Sequence, residues 1–221
     1  MVLLPIVLGG CATSSDTIPP SSTRERKDAS TIVAGPEVPY ERGNRLAAQK
    51  RYAEAIDEYT KALRVNPTFY EALNNRGLAY YFSGQRERAI ADFTKAIETY
   101  PKKPTAFSNR GMVLNDVGKL TEALSDLNRA VDNHADSAGA FYLRAVTRAK
   151  LGDNDGAITD TTEALRLDPH DADSYQCRAM AWFYKRDYQK AWEDVRACKA
   201  NGGSVSPRFL RALQEASRRK K

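Results

Sequence analysis

The sequence predicts an all-α solenoid of five stacked helical hairpins, and three observations predict it. Proline recurs at Pro67 and again at Pro101 and Pro169, one and three steps of 34 residues after it. Small side chains keep the same step, as Ala55, Ala89, Ala123, Ala157 and Ala191 in one series and Ala62, Ala96, Ala130, Ala164 and Cys198 in another. The composition, 42% hydrophobic and 28% charged, suits helices and contains no strand-rich stretch. A fixed period of this length marks an array in which no single hairpin can bury its apolar face, so stacking supplies the core.

Along the chain, residues 1–10 (MVLLPIVLGG) form a short apolar run. It is far below the roughly 20 residues that span a bilayer. It matches the end of a secretory hydrophobic region. Leu8-Gly9-Gly10-Cys11 resembles a bacterial lipobox, in which the cysteine is acylated and becomes the first residue. That resemblance implies lipidation at Cys11 and, with Ala12 following, sorting to the outer membrane. No Lys or Arg precedes the apolar run. Either the true start lies upstream of Met1, or the segment is an apolar N-terminus on a cytoplasmic protein. Residues 11–38 are rich in Ser, Thr, Pro and Asp, without a sustained apolar period, and read as a flexible linker.

The repeats fall at 36–69, 70–103, 104–137, 138–171 and 172–205. Position 8 is Gly43, Gly77, Gly111, Ala145 and Ala179, small enough for two helices to cross closely. Position 24 is Tyr59, Phe93, Leu127, Thr161 and Val195, and position 4 is Pro39, Leu73, Phe107, Phe141 and Tyr175. Position 32 is Pro67, Pro101, Ala135, Pro169 and Gly203, where the second helix must stop. This pattern of small, aromatic and proline positions resembles the tetratricopeptide-repeat (TPR) family over residues 36–205. The resemblance implies a right-handed superhelix with the first helix of each hairpin, helix A, lining a concave side. Arg148 at position 11 and Thr161 at position 24 depart from the pattern, which makes repeat four the expected loose point. After Gly202-Gly203, Ser206 and Pro207 open a last helix within residues 206–221. Its Phe209, Leu210, Leu213 and Ala216 are expected to cap repeat five, with a basic tail beyond.

A second regularity has no counterpart in the family pattern, where position 7 is more often Leu. Position 7 here is Arg42, Arg76, Arg110, Arg144 and Arg178, and position 23 is Glu58, Asp92, Asp126, Asp160 and Asp194. The planar guanidinium suits a two-bond grip on a carboxylate. Each arginine is therefore expected to pair with an acid on helix B of its own hairpin or of an adjacent one, in preference to forming a ladder for an anionic ligand.

In the family, ligands contact helix A at positions 2, 5, 6, 9, 12 and 13. Carried over, these give a groove of Asn44, Asn74, Asn75, Leu78, Tyr81, Phe82, Asn109, Met112, Asn115, Tyr142, Met180, Phe183 and Tyr184. Amides can pair with a peptide backbone and aromatic groups can receive apolar side chains. Phe82 and Phe183 have packing between repeats as their other reading. Some relatives grip chaperone C-termini with Lys, Asn, Asn, Lys and Arg. Asn44 and Asn75 match the two amides, but Tyr40, Thr105 and Asn109 stand where the charges belong.

No nucleophile–base set, phosphate loop or metal-ligand spacing is present, so no cofactor, metal, small-molecule substrate or catalysis is expected. His134 and His170 fall in turns, and Cys177 and Cys198 are expected as free thiols. The net charge is +6, with basic residues spread through the repeats rather than interleaved with aromatics, which argues against nucleic acid. The expected function is a non-catalytic scaffold for a protein or peptide partner, lipid-anchored on the periplasmic face of the outer membrane. The alternative is an unlipidated cytoplasmic adaptor or co-chaperone.

Overall fold

The computed structural model describes residues 35–133 and 137–219. Cys11, the linker up to residue 34, His134, Ala135 and the last two lysines lie outside the described residues.

Eleven helices run through the described part. Five hairpins come first: α1 (Glu37–Ala48) with α2 (Tyr52–Val65), α3 (Tyr70–Phe82) with α4 (Arg86–Thr99), and α5 (Pro104–Asp116) with α6 (Leu120–Asn133). Then come α7 (Ala138–Lys150) with α8 (Asn154–Leu167), α9 (Ala172–Tyr184) with α10 (Tyr188–Ala200), and the single α11 (Pro207–Arg219). Each helix packs on the next in sequence. The odd-numbered helices α1, α3, α5, α7 and α9 also touch one another, and successive even-numbered helices do not do so to a comparable extent. The A helices therefore sit on the inside of the curve and the B helices are splayed on the outside.

The turn inside every hairpin is set by one residue at repeat position 15. Gly84, Gly118 and Gly152 take φ of 82°, 84° and 85° there, and Lys50 and Arg186 take 60° and 61°. A left-handed residue at this point ends helix A and folds the chain back. Glycine enters that region without cost, whereas a Cβ strains it, so the first and last hairpins carry strain the middle three avoid.

Within each hairpin, positions 8 and 24 share one space. A Cβ on Gly43, Gly77 or Gly111 would lie 2.5, 2.7 or 2.8 Å from Tyr59, Phe93 or Leu127. Where position 8 is Ala145 or Ala179, position 24 shrinks to Thr161 or Val195, at 0% and 1% exposed. Thr161 is thus the partner that Ala145 allows, and its hydroxyl donates to the Ala157 carbonyl at 2.6 Å. Repeat four is not the loose point expected of it.

The open end of repeat five is closed by α11. Leu213 is fully buried, Phe209 and Leu210 pack beside it, and the Phe209 ring meets Phe183 edge-on at 5.5 Å. Trp192 Nε1 donates to Ser217 Oγ at 3.2 Å, pinning the far end of the cap. At the opposite end no described helix precedes α1. Position 3 is Ala72, Ala106, Ala140 and Ser174 in repeats two to five, each at most 2% exposed, but Val38 in repeat one is 44% exposed.

Candidate interaction groove

The arginines at position 7 do more than pair within a hairpin. Arg76 donates through Nε and Nη2 to the two oxygens of Asp92, both at 2.7 Å. Its Nη1 donates backwards to Thr60 Oγ1 on the preceding B helix at 3.1 Å. Arg110 repeats this with Asp126 and Thr94, Arg144 with Asp160 and Asn128, and Arg178 with Asp194 and Thr162. Each guanidinium therefore staples three helices: its own A, its own B and the B helix before it. The hydrogen bond that Arg110 donates to Asp126 raises the pKa of Arg110, against the lowering effect of burial, and the one to Asp194 does the same for Arg178. In repeat four the carboxylate is shared, because Arg148 Nη1 also donates to Asp160 at 2.9 Å.

The first member breaks the series. Arg42 is exposed and does not pair with Glu58, which bonds Lys61 instead and leaves Oε2 buried without a partner. Two physical reasons account for this. No described B helix precedes repeat one to offer a hydroxyl or exclude water, and Glu is one methylene longer than the Asp of the other repeats.

The concave amides are largely spent on one another. Asn44 Oδ1 accepts from Tyr59 Oη at 2.8 Å and from Asn75 Nδ2 at 2.9 Å. Asn109 Nδ2 reaches back 35 residues to Asn74 Oδ1 at 2.9 Å. Asn115 donates to Thr147 and accepts from Lys150 of the next repeat. These bonds tie successive A helices at the bottom of the groove.

Two expected groove residues are buried and a third is packed under the cap. Asn74 is held by Asn109, Asn115 by Thr147 and Lys150, and Phe183, half-buried, packs among Tyr184, Tyr188 and Phe209. Leu78, Tyr81 and Met112 are half-buried against the core between repeats two and three. Phe82 stacks on Tyr52 at 5.4 Å yet stays 46% exposed. Met180 and Tyr184 are 41% and 65% exposed. Tyr142 is half-buried, and burial, with the Asp173 charge next, keeps its phenol protonated. Val117 and Leu151, which the groove positions do not include, are exposed at the ends of their A helices beside the same edge as Phe82 and Tyr184.

Comparison with known families matches this geometry to one repeat type. A profile described as a TPR repeat covers residues 43–84, and profiles described as tetratricopeptide repeats cover 70–103 and 108–172. The chain is a tetratricopeptide-repeat protein. Among solved structures, pilF of Pseudomonas aeruginosa superposes with a TM-score of 0.73 at 17% identity, over 84% of this chain and 86% of that one. MamA from Desulfovibrio magneticus gives 0.69 at 22% identity, over 76% and 94%. YrrB, described as a TPR protein with an unusual peptide-binding site, gives 0.64 at 23%, over 81% and 90%. At these identities the likeness shows a shared fold. A co-chaperone of Aspergillus fumigatus, sgt12, is 49% identical over 47 residues, which span 21% of this TPR chain and 14% of the length of sgt12.

The TPR frame leaves two thiols inside it. Cys198 is buried, and Cys177, half-buried on α9, is pushed up to about 12 by burial and then by Asp171 and Asp160. Both are free. His170, in the turn before α9, is exposed and shares a 2.8 Å hydrogen bond with Asn201 at the end of α10.

Proposed function

We propose that this TPR protein is a non-catalytic scaffold that holds a segment of a protein partner in its concave groove, anchored through Cys11 at the periplasmic face of the outer membrane. One observation carries the binding reading. The A helices present apolar side chains to the open side, Met180, Tyr184 and Phe82 exposed and Met112 half-exposed, while the amides beneath them are tied up in the frame. Such a surface favours contact through apolar anchors over recognition of a charged terminus. The peptide-binding site described for YrrB supports a peptide ligand on a similar frame.

The groove is tested with a photo-crosslinking residue at Met180 and, as control, at Arg64 on α2. Partner adducts confined to Met180 are expected, and adducts at both sites in equal yield would count against the groove. The anchor is tested separately by fractionating wild type and Cys11→Ser. Wild type belongs in the membrane fraction with the mass of the acyl chains added; wild type that stays soluble refutes the anchor.

The second reading, an unlipidated cytoplasmic adaptor, draws on the short identity with the co-chaperone sgt12. It predicts that both forms remain soluble in the cytoplasm.

A further inference from the structure

The charge of this protein is gathered at one end. Residues 185–221 hold eleven basic and four acidic residues, a net of +7 against +6 for the whole chain, which leaves residues 1–184 at −1. Basic residues occur in every repeat, but only here do they outnumber the acids by a wide margin. One of the four acids, Asp194, is buried and committed to Arg178. Arg196, Lys199, Arg208, Arg211 and Arg218 are exposed, and none forms an ion pair among the described residues.

The capping helix arranges three of these in one line. Arg208, Arg211 and Arg218 stand three and seven residues apart, on the outward stripe of α11. The inward stripe is occupied, with Leu213 fully buried and Phe209 against Phe183. The helix therefore has no apolar face left to insert into a membrane or to lay in a partner's groove. The nearby tryptophans are also engaged, Trp182 by Lys190 at 4.3 Å and Trp192 by Ser217. A nucleic-acid surface pairs its arginines with open aromatic faces for base stacking, and none is offered here.

We infer that the C-terminal end of the solenoid is a docking surface for an anionic phospholipid bilayer, adsorbing through the arginine stripe of α11 without insertion. A convex row of arginines with no pocket fits a laterally fluid sheet of negative headgroups, and each arginine near such a surface strengthens binding by about fivefold. The inference stands independently of acylation at Cys11, and its test removes that anchor.

The full chain carrying Cys11→Ser is sedimented with vesicles of phosphatidylglycerol and phosphatidylethanolamine, or of phosphatidylcholine alone. Binding to the anionic vesicles is expected at about 50 mM salt and loss of most of it at about 300 mM, as screening requires. Arg208→Glu/Arg211→Glu/Arg218→Glu should weaken it on the order of a hundredfold. Arg45→Glu/Arg64→Glu/Arg129→Glu, the same charge change elsewhere, should bind within a few-fold of the parent. Circular dichroism verifies that both variants keep their helices. Equal weakening in the two variants overturns the inference, because net charge alone would then explain binding. Salt-insensitive binding to both vesicle types overturns it too, by assigning the contact to the apolar residues 1–10. So does retention of duplex RNA or poly-glutamate while anionic vesicles remain unbound.

Discussion

Asp160→Ala is the sharpest test of the arginine staples. The carboxylate is 1% exposed and accepts from Arg144 Nε at 2.9 Å, Arg144 Nη2 at 2.7 Å and Arg148 Nη1 at 2.9 Å. Truncation leaves two guanidiniums facing a void. Removing one partner of a buried ion pair costs about 3–5 kcal/mol. Two features place this case at the lower end. The side chains of Arg144 and Arg148 are 13% and 23% exposed, so both can turn towards water, and Arg148 also has Asp153 at 3.8 Å. The expected cost is about 3 kcal/mol, which for a chain of this size lowers Tm by roughly 6–12 °C. Urea denaturation followed by circular dichroism, with calorimetry, reads both quantities. Arg42→Ala is the matched control, since Arg42 is exposed outside any staple, and it should fall within about 0.5 kcal/mol of wild type. The double change Arg144→Met/Asp160→Leu should recover much of the loss, because a packed apolar pair replaces a charge pair at little net cost. A loss below about 1 kcal/mol for Asp160→Ala, or equal losses for Asp160→Ala and Arg42→Ala, would refute the staple as a source of stability.

Three further outcomes follow from the packing and the thiols. Lys50→Gly should stabilise the protein by about 1 kcal/mol, because Lys50 holds φ of 60° where three other hairpins use glycine; an unchanged denaturation midpoint would show that the turn carries no strain. Thr161→Leu should cost about 1–3 kcal/mol by overfilling the space beside Ala145, and adding Ala145→Gly should restore part of it, as Gly111 does for Leu127; additive losses would disprove the shared volume. Native alkylation of Cys177 by iodoacetamide, mapped by mass, should rise about tenfold per pH unit from pH 8 to 10 without levelling off, because only the thiolate reacts. The thiol ionises near 9.0 when free and at about 12 in the fold, so its contribution to stability is complete below the first value and declines as pH rises between them. A plateau below pH 10 would contradict this.

The hairpins were legible because a period of 34 residues is a property of the chain itself, and the small residues at position 8 and in the Ala55 and Ala62 series mark where helices cross. The reach of each arginine into the preceding repeat was also written in the chain. Position 25 is Thr60, Thr94, Asn128 and Thr162, an acceptor wherever an arginine follows, and it becomes Arg196 in repeat five, where none does. These acceptors are neutral hydroxyls and an amide, so the pairing of opposite charges along the chain does not point to them. The compensation of Thr161 by Ala145 was hidden for a similar reason: each position was compared down its own column, while the volume is shared across two. The groove was the least legible. A list of concave positions does not distinguish an amide facing solvent from one facing another amide, so Asn74 and Asn115 read the same as Asn109 until the helices were assembled.

The staple also says how this chain tolerates being lengthened or shortened. Every join between neighbours uses the same two halves, an acceptor on the outgoing B helix and a guanidinium on the incoming A helix. Excising residues 104–137 would bring Arg144 against Thr94, the acceptor that Arg110 now uses, and the seam would close as before. Excising a few residues more or fewer would leave a buried aspartate facing the wrong neighbour. Whole units can thus be gained or lost through recombination without redesigning an interface, and fractional ones are penalised at once, which gives the array a built-in unit of change.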